Sequence, residues 1–214
     1  MKFKILNEKD ISDIAKIHLQ AFPSSLLTKF GHELTGRYYL WQLISGDEVF
    51  PIGVNNDKNE LIGFCFGGKF KVAFVGFVLS NKTLITKSLL RNPSIVFNYS
   101  TLKKIRKAIA VVIKYLINKL NKRNNPRHAV SDNNFGILAI AVDPSYKRKG
   151  IGKFLIKESE NIARKQGFKK MFLTVSQKNF VAIEFYRGIG WIKSLTNEIW
   201  NGGMEKELND FSNK

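Results

Sequence analysis

The chain is short of acids, of cysteine and of long apolar runs, and each shortage excludes something. Of its 214 residues, 17 are Asp or Glu against 35 Lys or Arg, a formal net charge of +18. From Leu61 through Ser131 there is no acid at all, and 14 of the cations fall in that stretch. Most of the excess therefore belongs to one middle segment. It cannot neutralise itself, so its cations pair with acids elsewhere, face water or meet an anionic partner. The single cysteine, Cys65, excludes an internal disulfide framework and a Cys-rich zinc site, and no metal is expected. No stretch reaches the roughly 18 uncharged apolar residues of a membrane span. The nearest candidate, 61–79, is interrupted by Lys69 and Lys71. The opening MKFKILNEKD lacks the apolar centre of a secretory leader, so a cytoplasmic protein is expected.

What remains is globular in composition, with 44% hydrophobic and 12% aromatic residues, which excludes a wholly disordered chain. Residues 2–6 alternate as a short strand. Asp10 reads as the N-cap of a helix carrying Ile14, Ala15, Ile17 and His18, stopped by Pro23. A second helix is expected over 26–44, with Leu27, Phe30, Leu34, Tyr38 and Trp41 at steps of three or four. Apolar runs at 49–54 and 61–66 flank the turn cluster Asn55-Asn56-Asp57-Lys58-Asn59 and read as a hairpin. Residues 82–128 stand apart as a basic helical insertion. Within it, Thr101 caps a helix to about Leu120 whose apolar stripe adjoins Lys103, Lys107 and Lys114, with Lys104 beyond. Such a helix either packs on the core with a solvated basic face or meets phosphates or anionic lipid.

From Phe135 the pattern sharpens. FGILAIAV reads as a strand buried on both faces, closed by Asp143-Pro144. A helix to about Gln166 follows, with Gly167 as its cap, then the strand 170–175. A short helix capped by Asn179 and closing strands complete the chain. The order predicts an α/β (α+β) fold around a central sheet, as one domain over 1–214. Between the first of these strands and its helix lies Lys147-Arg148-Lys149-Gly150-Ile151-Gly152. The first-turn N–H groups of a helix lack intrahelical partners and sit at the positive end of its dipole, so this is phosphate-binding chemistry. Glycines 150 and 152 let a ligand approach the backbone, and three consecutive cations suit a polyanion. The alternative is an ordinary basic turn. The loop is neither a Walker A sequence nor a dinucleotide fingerprint.

Residues 136–191 resemble the acetyl-CoA-binding half of the GNAT family of N-acetyltransferases, through ILAIAVDPSYKRKGIG and LTVSQKNFVAIEFYRGIGW. The matching positions are Gly150, Gly152, Asn179, Ala182, Phe185, Tyr186, Gly190 and Trp191; Lys147 stands where Arg or Gln is usual. The resemblance implies a mixed, mostly antiparallel sheet splayed in the middle, with helices on both faces. It implies acetyl-CoA as cosubstrate, its pantetheine arm pairing with the backbone near Ile140 and Val142. Its pyrophosphate would rest on the N–H groups of Arg148, Lys149, Gly150, Ile151, Gly152 and Lys153. Asn179 would hydrogen-bond the arm, and Tyr186 would protonate the departing sulfur.

No carboxylate stands on FGILAIAV to take the acceptor's proton. Glu33, Glu60, Asp132, His18, His32 and His128 remain as candidates, as does water. The acid-free segment points to a small, anionic amine acceptor, such as an amino sugar on a nucleotide or lipid carrier. It also fits peripheral contact with the inner face of an anionic membrane. AFPSSLLTKFGHELTGRYY resembles, loosely, bacterial acetyltransferases linked to surface polysaccharide synthesis. A protein or peptide amine is the alternative acceptor, and a non-catalytic CoA- or nucleic-acid-binding module the alternative class. Nucleic acid is disfavoured, because the basic stretch lacks interleaved aromatics and a helix-turn-helix.

Overall fold

The computed structural model describes residues 1–44, 48–69, 73–93, 95, 105, 106, 109, 110, 113, 117, 134–196 and 198–208. They form two compact units: one from the described parts of 1–6, 48–70 and 129–214, the other from those of 7–47 and 71–128.

The first unit is a seven-stranded sheet with two helices. Its strands are β1 (Lys2–Ile5), β2 (Val49–Asn55), β3 (Leu61–Gly68), β4 (Asn134–Val142), β5 (Lys170–Thr174), β6 (Ile192–Thr196) and β7 (Ile199–Glu207), in the order β1-β2-β3-β4-β5-β7-β6. All neighbours are antiparallel except β4 and β5. That parallel pair needs a crossover, which the helix Ile151–Lys165 supplies. The 49–54 and 61–66 runs pair as the expected hairpin, and the sheet is mixed and mostly antiparallel as expected.

The crossover helix buries Ile151, Leu155, Ile156, Ser159, Glu160 and Ala163, a stripe of helical period. It ends as Gly167 predicts: Gly167 takes φ 77°, its N–H donates to Arg164 O and the Phe168 N–H to Ala163 O, a Schellman closure. Phe168 is thereby turned inward onto the Phe135 ring, at 5.4 Å between centroids. Across the stripe, Lys206 Nζ of β7 donates to the buried Glu160 at 2.7 Å and to the Ile189 carbonyl at 2.7 Å. One ammonium thus ties the crossover helix, the last strand and the turn before β6 together.

FGILAIAV is a strand, but it is not buried on both faces. Phe135, Ile137 and Ala141 are buried, whereas Leu138, Ala139, Ile140 and Val142 are half-buried. The cause lies in the pairing. Phe66 opposes Ala139 and Gly67 opposes Ile137, so Leu138 is an extra residue on β4. A bulge bends the strand that carries it, and β5 pairs with β4 only through Ile137↔Leu173. Beyond that point β4 runs on without β5, which uncovers one side.

The second unit is helical: α1 (Ile11–Ala21), α2 (Leu26–Phe30), α3 (His32–Ile44), α4 (Ala73–Ser80) and α5 (Lys82–Arg91), with residues 105, 106, 109, 110, 113 and 117 also helical. Three expectations change here. Asp10 does not cap α1 with its side chain. It closes a capping box with Asn7, accepting from the Asn7 N–H at 3.0 Å while Asn7 accepts from Lys9 N–H. The single helix over 26–44 is two, because Gly31 takes φ 89° and ψ 179°, outside the helical region. The helical part between β3 and β4 begins at Ala73 rather than 82. Thr101, Lys103, Lys104, Lys107, Lys114 and Leu120 lie outside the described residues. Among the described residues no helix is long and apolar enough to cross a membrane.

His18 organises this unit. Thr28 Oγ1 donates to the Phe22 carbonyl and Ser25 Oγ donates to Thr28 Oγ1. Ser25 is therefore left to accept from His18 Nε2–H at 3.0 Å, and Nδ1 accepts the Tyr39 hydroxyl proton at 2.8 Å. Burial lowers the His18 pKa from 6.5 to about 4, so the imidazole is neutral in the fold. The unfolded chain takes up its proton first as pH falls, so stability present above pH 6.5 is lost towards pH 4. Urea unfolding of the wild type is expected to lose about 2 kcal/mol more between pH 7 and pH 5 than that of His18→Gln. Equal losses in the two proteins contradict the buried neutral histidine.

Candidate active site

The opening between β4 and β5 gathers most of the residues that the sequence singles out. Asp143 N–H donates to Ile62 O, which directs residue 143 towards β3. In an antiparallel ladder the direction alternates, so Ala141 also faces β3 while Ile140 and Val142 turn their N–H and C=O groups away from it. On that side β5 has already left. Ile140 and Val142 thus present strand-edge backbone with no ladder partner among the described residues.

The chain then turns sharply. Asp143 accepts from Ser145 N–H at 2.8 Å to cap the turn Pro144–Tyr146, and Lys147 is extended. Arg148 and Gly150 take left-handed φ values of 61° and 78°. A Cβ on Gly150 would meet nothing within 4 Å, so this glycine serves the backbone conformation and borders open space. The crossover helix, α6 from here on, opens directly after it. Its first intrahelical bond is Phe154 N–H to Gly150 O at 2.9 Å, so the amides of Ile151, Gly152 and Lys153 precede the ladder. The Ile151 side chain is buried in the core, which leaves only its backbone for a ligand. Lys147, Arg148, Lys149 and Lys153 are exposed and form no ion pair among the described residues. Lys149 Nζ lies over the Tyr146 ring, 4.9 Å from its centroid.

The second helix of this unit, α7 (Phe180–Arg187), forms the neighbouring wall. Asn179 caps it as expected, Oδ1 accepting from Ala182 N–H at 3.2 Å. Ala182 and Phe185 pack half-buried on the core. A Cβ on Gly152 would stand 3.6 Å from the Phe185 ring, so the start of α6 and this face of α7 lie against each other. Tyr186 is 7% exposed, its ring 5.1 Å from Phe185 and 5.7 Å from Trp191 between centroids. Its carbonyl accepts from Ile189 and Trp191 N–H, which fixes the end of the helix. Burial first, and the Cys65 thiol second, push the Tyr186 phenol well above its ordinary pKa. Cys65, on β3 opposite Ile140, is itself pushed up to about 12 by burial, against a donated hydrogen bond from Ser159 Oγ at 3.2 Å. Both groups are therefore protonated at neutral pH.

Among the described residues, each candidate base is engaged within its own unit. Glu33 pairs with Arg37 on α3, and His32 Nε2 meets the Ser12 carbonyl. Both imidazole nitrogens of His18 are engaged in the helical unit. Glu60 accepts from Asn56 Nδ2 at 2.7 Å in the β2–β3 turn. Asp132 and His128 lie outside the described residues. Two features were not foreseen from sequence. The Leu138 bulge leaves no mark in an unbroken apolar run, and the approach of Cys65 to Tyr186 is a tertiary event.

No curated protein matches the chain by sequence. Solved structures do match its fold. The PaiA N-acetyltransferase of Thermoplasma acidophilum, in complex with coenzyme A, aligns with a TM-score of 0.56 at 16% identity, over 96% of this chain and 98% of that one. The ribosomal-protein-alanine N-acetyltransferase of Brucella melitensis aligns with a TM-score of 0.57 at 14% identity, over 97% and 100%. The ribosomal-protein-S18-alanine N-acetyltransferase of Escherichia coli aligns with a TM-score of 0.55 at 12% identity, over 97% and 93%. The model of the acetyltransferase (GNAT) family matches residues 11–191, from α1 to the residue before β6 and so across the whole β4–α6–β5–α7 site. The chain belongs to that family, and is an acyltransferase whose acetyl donor is acetyl-CoA.

Proposed function

We propose that the chain carries the acetyl group to a primary amine on a small anionic molecule, and that the β4–β5 opening receives the donor. The observation that carries this reading is the unpaired backbone of Ile140 and Val142 leading to the open amides of Ile151, Gly152 and Lys153. An extended pantetheine arm carries amides that pair with a strand edge. A pyrophosphate suits the helix N-terminus with Lys147, Arg148, Lys149 and Lys153 around it. Bound acetyl-CoA supplies a thioester; the amine attacks its carbonyl carbon, the C–S bond breaks, and the electron pair leaves on sulfur.

Tyr186 serves that sulfur. A phenol held protonated by burial donates a hydrogen bond, and then a proton, to the developing thiolate. Asn179, Ala182 and Phe185 line the arm, with Asn179 Nδ2 left for it while Oδ1 caps the helix. The amine's proton leaves through water. The acceptor's negative charge is inferred from the acid-free stretch 61–131, which repels no anion and carries 14 cations. An amino sugar on a nucleotide or lipid carrier meets these terms, as does a peripheral location at an anionic membrane face.

Two substitutions test the assignment. Acetyl-CoA is expected to raise the melting temperature of the wild type by mass action. Gly150→Asp should abolish that rise, because its carboxylate enters the phosphate site, while Gly150→Asn, which also tolerates left-handed φ, keeps most of it. A full rise in Gly150→Asp removes the loop from the site. Tyr186→Phe should lower kcat by about 10²- to 10⁴-fold with little change in acetyl-CoA affinity, since the hydroxyl acts in the transition state and the ring still packs. Near wild-type kcat, with chemistry rate-limiting, excludes the proton donor.

A further inference from the structure

The helical unit contains a cavity of about 220 Å³, and none of its described lining residues belongs to the β4–β5 opening. Leu27 and Phe30 of α2, Phe77 of α4, Ile85 and Leu89 of α5, and the helical Ile109 are among its walls, and among the described residues none of its lining side chains is polar. Protein interiors are close-packed, with few voids larger than a water molecule. An engineered apolar cavity of about 150 Å³ in another protein stays dry and takes up benzene. This one is larger, and its lining residues Ile109 and Ile113 are each 50% exposed, so its wall reaches the surface.

The surface around it is cationic. Lys82 precedes Ile85 and Leu89 at steps of three and four, on the same stripe of α5. Arg106 stands three and seven residues before Ile109 and Ile113, on their side of a helical repeat. Both are exposed and form no ion pair among the described residues, as is true of Lys87 and Arg91 further along α5. No acid occurs in the sequence from Leu61 to Ser131 to compete for them. A hydrocarbon slot bordered by unpaired cations is the complement of one kind of molecule.

We propose that the helical unit binds a single anionic amphiphile, its hydrocarbon chain in this cavity and its anionic head on Lys82 and Arg106. The site stands on the cavity and its charges, independently of the acetyl acceptor's identity.

Calorimetry of the full chain with monomeric n-octyl phosphate tests it, with inorganic phosphate and n-octyl glucoside as the head-only and neutral-head arms. One-to-one binding of octyl phosphate, at least tenfold tighter than either control, is expected. Ile85→Trp, which fills the cavity, should weaken it at least tenfold while acetyl-CoA still raises the melting temperature. Should that variant fold poorly, Lys82→Glu with Arg106→Glu, both at exposed positions, should bring octyl phosphate to the affinity of octyl glucoside. Equal binding of octyl phosphate and octyl glucoside to the wild type overturns the role of the cations. Unchanged binding in a folded Ile85→Trp overturns the cavity. Adsorption to anionic vesicles, or self-association, without saturable binding of the monomeric amphiphile overturns the proposal in favour of surface attachment or a second copy.

Discussion

The parallel pairing of β4 with β5 holds from Asn134 to Ile137 and then stops, at the residue where β4 carries an extra Leu138 against β3. Two neighbouring strands cannot both stay in register when one of them bends, so β4 continues with β3 while β5 stays with β7. Val175 N–H still donates to Gly202 O at 2.8 Å, which keeps β5 on that course. The cost of the parting is strand-edge backbone at Ile140 and Val142 without a ladder partner among the described residues. In a closed sheet those groups would pair within the fold. Gly67, paired with Ile137 beside the bulge, leaves room for the Phe135 ring, which a Cβ there would approach to 2.3 Å.

The surroundings of that opening set its chemistry by two opposite means. On one side, the start of α6 offers amides, a dipole and four unpaired cations, all favouring negative charge. On the other, Tyr186 and Cys65 sit in apolar surroundings that disfavour charge on either. On the proposed reading, phosphates would be held where charge is welcome, and the sulfur would leave where charge is penalised until a proton arrives, beside a neutral donor. Gly152 and Phe185 join the two sides, since a Cβ on Gly152 would stand in van der Waals contact with the Phe185 ring, at 3.6 Å.

Legibility from sequence followed the range of the forces involved. The Gly150 loop, the Asn179 cap, the Gly167 closure and the 49–66 hairpin all rest on contacts a few residues apart, and each is where the pattern puts it. The break at Gly31 was missed because the apolar steps from Leu27 to Trp41 continue through it, while φ of 89° is set by how α2 and α3 must turn. FGILAIAV was legible as a strand but not as a bent one, since a bulge changes pairing without changing composition. The α4 helix was not read because a mostly apolar run at 73–80 reads equally as strand or buried helix, whereas α5 falls within the expected helical insertion. Local motifs therefore fixed the positions of the loop and cap residues in the fold. Contacts that depend on tertiary approach, Cys65 to Tyr186 and Lys206 to Glu160, were not legible.

Amide hydrogen exchange of the full chain, with and without acetyl-CoA, tests the parted strands most directly. Ile140 and Val142 amides have no ladder partner on the β5 side among the described residues and should exchange fast in the free protein. On addition of acetyl-CoA they should become protected together with Ile151, Gly152 and Lys153, while amides that pair β3 with β4, such as Ala141, change little. Protection confined to other strands, or Ile140 and Val142 amides already protected in the free protein, contradicts the account.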